Sequence, residues 1–153
     1  MDQFTRNNIF NTLISFLGND ANLLNSLNIE PRSYVVNIEK ATLDNNFFRK
    51  VLFTGKHLQL VVMSLKPLEE IGNEMHSNID QFFRIESGTA QFIFNDIEEH
   101  MAHDGDAIVV PAGTYHNIIN PSTKEPLKLY TLYSPPQHPQ GTIHKTKTES
   151  MNT

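Results

Sequence analysis

Residues 105–120 read GDAIVVPAGTYHNIIN, and this stretch decides the fold. Asp104, Gly105 and Asp106 form a turn ahead of it, and Ala107 to Val110 is a short apolar run that reads as a buried strand. Pro111 locks φ and has no N–H to donate, so the strand ends there. Gly113 permits a tight backbone reversal. A second strand then runs from Thr114 to Ile119, with His116 near its start. Such a rigid frame aims an imidazole inward.

Working outward, the neighbouring segments carry the same signals. Leu58 to Leu65 is an apolar run between Gly55 and Pro67. Gln81 to Glu86 alternates, with Gln81, Phe83 and Ile85 on one face. Thr89 to Phe94 follows Gly88, Asn95-Asp96 marks a hairpin turn, and Leu127 to Tyr133 completes the set. Short strands at roughly ten-residue spacing indicate a β-sandwich or barrel beginning near Ser33. Before them, Ile9, Phe10, Leu13, Ile14 and Leu17 form a helical stripe that Gly18 stops. Asp20 caps a second helix carrying Leu23, Leu24 and Leu27, and Pro31 breaks it. The last twenty residues hold three prolines and few apolar side chains, so an irregular arm with a mobile end is expected.

The 153 residues suit one domain, and 39% hydrophobic with 19% charged residues is a globular composition. The net charge of −5 and the lack of a basic stripe argue against nucleic acid as a partner. No apolar run spans a bilayer, which needs about 20 residues. The N-terminal segment lacks a signal-peptide pattern and a basic interfacial face, so a cytoplasmic location without membrane contact is expected. With no cysteine, any metal must be held by nitrogen and oxygen.

Residues 72–88, GNEMHSNIDQFFRIESG, hold the other chemistry. Glu74 and His76 are two apart, so on an extended segment they share a face and converge. Gln81 shares its face with Phe83 and Ile85, so it points inward, where an unpaired amide is costly and a metal ion would satisfy it. Asp80 is the alternative carboxylate, but the one-residue slip that brings it inward turns Phe83 outward.

These two segments resemble the two motifs of the cupin superfamily. Gly105, Pro111, Gly113, His116 and Asn120 match every defining position of the second. In the first, the spacing from Glu74 through His76 and Gln81 to Gly88 is kept, while Glu74 stands for the usual first histidine and Gln81 for the usual glutamate. Leu68 occupies the place of the opening glycine. Residues 34 to 146 look like a small single-barrel bacterial cupin, a subgroup loosely grouped with mannose-6-phosphate isomerase. The resemblance implies an all-β fold: one antiparallel jelly-roll barrel, with a metal inside one mouth. The expected organisation is an N-terminal helical extension over 1–32, a barrel over 33–146 and a flexible tail over 147–153.

The resemblance further implies one divalent metal ion (Fe, Mn, Ni or Zn) held by Glu74, His76, Gln81 and His116, two imidazoles and a carboxylate with a weak amide ligand. It implies a small-molecule ligand, such as a sugar derivative or small acid, and pairing as a homodimer. A metal-dependent isomerase or dioxygenase stands beside two other readings: a non-catalytic ligand-binding module, and a scaffold that docks a partner through its N-terminal helices. No general base is identified, with Glu74 and Tyr115 as the options. Tyr115, Tyr130 and Tyr133 are candidates for lining a pocket. His57, His100 and His103 are expected in solvent. His138 and His144 lie in the tail, from which His144 has the option of folding back over the mouth. The expected core is Val62, Met63, Phe83, Phe92, Phe94, Ile118 and Leu129.

Overall fold

Alternation with period two puts every second side chain of the strands on one inner face, and those faces meet around a single core. In the computed structural model, which describes residues 33–152, helix α1 (Ile38–Asp44) precedes strands β1 (Arg49–Thr54), β2 (Gln59–Leu65), β3 (Asp80–Ser87), β4 (Thr89–Phe94), β5 (Glu98–His103), β6 (Ala107–Val110), β7 (His116–Ile119), β8 (Leu127–Ser134) and β9 (Ile143–His144). Helix α2 (Lys147–Met151) follows. The two helices expected before Pro31 lie outside the described residues. The strands form a six-stranded sheet ordered β6–β3–β8–β2–β1–β9 and a three-stranded sheet ordered β5–β4–β7. All pairings are antiparallel.

The two sheets enclose the side chains of Val61, Met63, Leu65, Phe83, Ile85, Phe92, Ile118, Leu127 and Leu129, all fully buried. This is the expected core with two refinements. Phe94 is partly buried at its edge, and Val62 is buried on the opposite face of β2. There Val62 and Ala41 of α1 line one crevice. The Lys128 ammonium donates to the Asn45 carbonyl and, at 2.9 Å, to Asn46 Oδ1, tying the end of α1 to the back of β8.

Two local structures differ from the expectation. The stretch after Ser33 begins with α1 rather than a strand. Asn37 caps it, its Oδ1 accepting from the Lys40 N–H at 3.0 Å, but seven residues are too few to show a helical period. The tail is not an irregular arm either. Ile143 and His144 pair with Lys50 and Arg49, and Lys147–Met151 is helical. Thr146-Lys147-Thr148-Glu149 follows the capping-box sequence: Thr146 Oγ1 accepts from the Glu149 N–H at 3.3 Å, and Glu149 Oε2 reaches one residue past the cap to accept from the Lys145 N–H at 2.6 Å.

Turn chemistry sets the rest. Asn95 and Asp96 both have positive φ, 50° and 61°, in a three-residue connection whose turn the Ile97 N–H closes on the Phe94 carbonyl at 3.1 Å. An irregularity in β1 between Val51 and Phe53 brings Thr54 inward and leaves Phe53 outside, stacked on Tyr34 at 5.4 Å between ring centroids.

Candidate metal centre

The segment before β3 runs beside β7 without becoming a full strand. The Ile71 N–H donates to the Ile118 carbonyl, and Glu74 and His116 exchange both backbone hydrogen bonds, each bond at 2.9 Å. The Gly113 N–H donates to the His76 carbonyl at 2.7 Å. Gly113 itself has φ +84°, so the turn after Pro111 needs its freedom. These bonds set Glu74 opposite His116 and bring His76 to the same mouth. Asp80 is excluded from the group, since its carboxylate accepts from the Ala112 N–H at 3.0 Å and braces the turn from outside. Phe83 is fully buried, so the strand has not slipped.

One nitrogen or oxygen from each of Glu74, His76 and His116 lies within 4.8 Å of the others. Glu74 Oε2 is 3.6 Å from His76 Nε2. His116 is buried and its Nδ1 donates to the Thr114 carbonyl at 3.0 Å, so in the neutral ring Nε2 carries a lone pair. That lone pair faces Gln81 Oε1 at 3.2 Å, while Gln81 Nε2 donates to Thr131 Oγ1 at 3.0 Å. Two acceptors therefore point at each other in a buried site. His76 Nε2 is likewise buried and has no hydrogen-bond partner. A cation shared by these atoms resolves both conflicts, so the donor set fits a divalent metal.

Residues 61–133 match the family model described as the cupin domain. The uncharacterized protein YrkC of Bacillus subtilis (strain 168) is 49% identical over 126 residues, covering 79% of this chain and 67% of that protein. The uncharacterized protein L612 of Acanthamoeba polyphaga mimivirus is 49% identical over 119 residues, covering 76% and 74%. The crystal structure of BH2720 from Bacillus halodurans superposes with a TM-score of 0.78 at 45% identity, over 80% of this chain and 96% of that one. The chain belongs to the cupin family.

The cupin's motif residues divide by role. Gly105 and Gly113 make turns at positive φ, and Asn120 is a buckle rather than a ligand. Its Nδ2 donates to the carbonyls of Leu65, Lys66 and Glu125. Leu68, in the place of the family's glycine, adopts φ +61°, which is why glycine suits that position.

Electrostatics favours the forms of Glu74 and His116 that a metal would need. Burial opposes ionisation of Glu74, but the His76 ring 3.6 Å away and the Arg49 guanidinium outweigh it and hold the carboxyl below its ordinary value. Burial lowers His116, partly offset by the Thr114 carbonyl and Glu74, so the neutral imidazole is favoured. Burial and the Glu74 charge push the Tyr133 hydroxyl well up, so it stays protonated.

Beside Glu74 opens a cavity of about 650 Å³, whose wall includes Arg49, His138, Thr142, His144 and Ser150. Sequence reasoning left His138 and His144 in the tail and did not single out Arg49. The tail in fact folds over the mouth. Gln59, fully buried, accepts from the His138 N–H at 2.9 Å and donates to its carbonyl at 2.8 Å. The His138 ring packs edge-on against Tyr133 at 5.0 Å. Arg49 was legible in one respect, since it falls in step with Val51 on the inner face of β1, where a charged residue is rare. Of the tyrosines offered as pocket residues, only Tyr133 is inside. Tyr115 is half exposed, and Tyr130 packs on Phe82 at 6.2 Å, both ring faces turned from the core. His57, His100 and His103 are exposed, as expected. Among the described residues no helix is long and apolar enough to cross a membrane.

Proposed function

We propose that this cupin holds one divalent metal ion at Glu74, His76 and His116, with Gln81 as a weak fourth ligand, and that it binds or transforms a small polar organic molecule in the adjoining cavity. The observation that carries the reading is the cluster of one carboxylate oxygen and two imidazole nitrogens within 4.8 Å of one another, in which the buried His76 Nε2 has no hydrogen-bond partner and His116 Nε2 faces Gln81 Oε1, an arrangement that a cation satisfies. A bound ion with open positions supplies a Lewis acid for a substrate oxygen or a centre for dioxygen. The chain's own part is positional. The Thr114 carbonyl orients His116, Thr131 orients Gln81, and Tyr133 stands between the His76 and His138 rings and keeps the inner wall dry.

A second reading is a binding module without turnover. It is favoured by the engagement of the carboxylate at the mouth: Glu74 lies 3.6 Å from His76 and 3.9 Å from Arg49, and Tyr115 is outside. Metal analysis tests the common core of both. Protein purified without chelator is expected to carry stoichiometric metal, and His116→Ala and Glu74→Gln to weaken its binding by at least about 100-fold. Wild-type levels of tightly held metal in both variants would refute the site.

A further inference from the structure

Arg49 is a buried cation with an unpartnered donor. It is 6% exposed, its Nε has no hydrogen-bond partner, and its Nη2 stands 3.9 Å from Glu74 Oε1, beyond hydrogen-bond reach. A guanidinium carries five N–H donors in a fixed fork, and burying it with donors unspent is costly. Backbone pairing explains the main chain at this point, with Arg49 opposite Met63 on one side and His144 on the other, but not the choice of side chain. The guanidinium lies instead in the wall of the cavity that adjoins Glu74.

Charge adds a second, independent argument, which rests on the metal reading proposed above. Glu74 is the sole carboxylate among the described residues lining this cavity. Glu74 and Arg49 cancel, and ligand imidazoles must be neutral to bind, so a divalent ion leaves about two positive charges uncompensated. In a partly buried site such an excess is unfavourable, and a small anion relieves it. A neutral polyol could accept from the guanidinium but would leave the charge uncompensated. The guanidinium fork matches a carboxylate in plane and spacing, allowing two parallel N–H···O bonds.

We propose that the cavity selects a small organic acid, one carboxylate of which pairs with Arg49 while another oxygen of the same molecule faces the Glu74–His76–His116 group. Within the broader class of small polar molecules, this chooses the acids over neutral sugars. Arg49 is thus a specificity residue.

The test loads the full chain with Co(II), measures cobalt stoichiometry first, and then titrates malonate and, separately, its neutral analogue malonamide. Binding is followed by calorimetry and by the cobalt visible spectrum. Malonate is expected to bind at least about tenfold more tightly than malonamide, the scale of hydrogen bonds to a charged group. Arg49→Gln should keep its cobalt and lose that preference, and Arg49→Lys should retain part of it. Equal binding of the two ligands by the wild-type protein overturns the proposal without recourse to any variant, so a misfolded Arg49→Gln does not shelter it. An undiminished preference in folded Arg49→Gln overturns it as well. No cobalt uptake by the wild-type protein sinks the metal reading and this proposal with it. Stoichiometric cobalt without an Arg49-dependent preference sinks this proposal alone.

Discussion

Replacing Gln59 by leucine tests whether one buried amide holds the tail over the mouth. Gln59 is fully buried and makes four hydrogen bonds: Nε2 donates to Thr54 Oγ1 at 2.9 Å and to the His138 carbonyl at 2.8 Å, and Oε1 accepts from the N–H groups of His138 at 2.9 Å and Gln137 at 3.3 Å. Leucine has nearly the same bulk and none of the polar atoms. Each bond contributes about 1 kcal/mol net, and the orphaned backbone groups of residues 137 and 138 are partly open to water once the loop loosens, so the loss should be about 3 kcal/mol. For a domain of this size that is a fall in Tm of about 6–12 °C. Urea unfolding should show a lower midpoint at unchanged slope, because the surface exposed on unfolding is the same. Hydrogen exchange should quicken at the amides of Gln137 and His138 while the β2–β8 ladder stays protected. A stability loss below about 1 kcal/mol, with those two amides still protected, would refute the view that this side chain positions His138.

Two more outcomes follow from local conformation and charge. Leu68 is 65% exposed at φ +61°, a conformation that costs an L-residue about 1–2 kcal/mol, so Leu68→Gly should stabilise by about 0.5–1 kcal/mol after the added freedom of the unfolded chain is subtracted. Thermal melts should show a gain of about 2–3 °C, and Leu68→Ala should show none. Burial, reinforced by the Arg49 guanidinium, lowers His138 from 6.5 to about 4. Between those values the unfolded chain binds the proton and the folded chain does not, so metal-free protein should lose stability as pH falls from 6.5 to 4, by at most about 3 kcal/mol from this group. His138→Asn should flatten that slope in urea titrations across the same range. A variant with the wild-type slope would show that His138 does not carry it.

The alternation in Gln81–Phe83–Ile85 and the Pro-Ala-Gly-Thr turn before His116 were enough to read a sandwich or barrel with an inward imidazole, because period-two facing is local and a proline two residues before a glycine leaves the chain few ways to turn, while the meeting of His76 with His116 was implied only by the resemblance to cupins. The capping-box sequence at Thr146 was also in plain view, but its helix is a single turn with no apolar period to draw attention to it. Short elements of this kind are decided by what they dock on.

By itself, the sequence determined the strand faces, the two turns and the shared facing of Glu74 and His76, all matters of neighbours a few residues apart. Only the tertiary structure decided that Asp80 braces a turn rather than binding, that Gln81 meets His116 across 35 positions, and that Arg49 and His138, 89 residues apart, share one cavity wall. The physical reason is that charge and hydrogen-bonding conflicts belong to atoms brought together by chain closure, and a buried lone pair or guanidinium is costly only once the fold has removed the water around it.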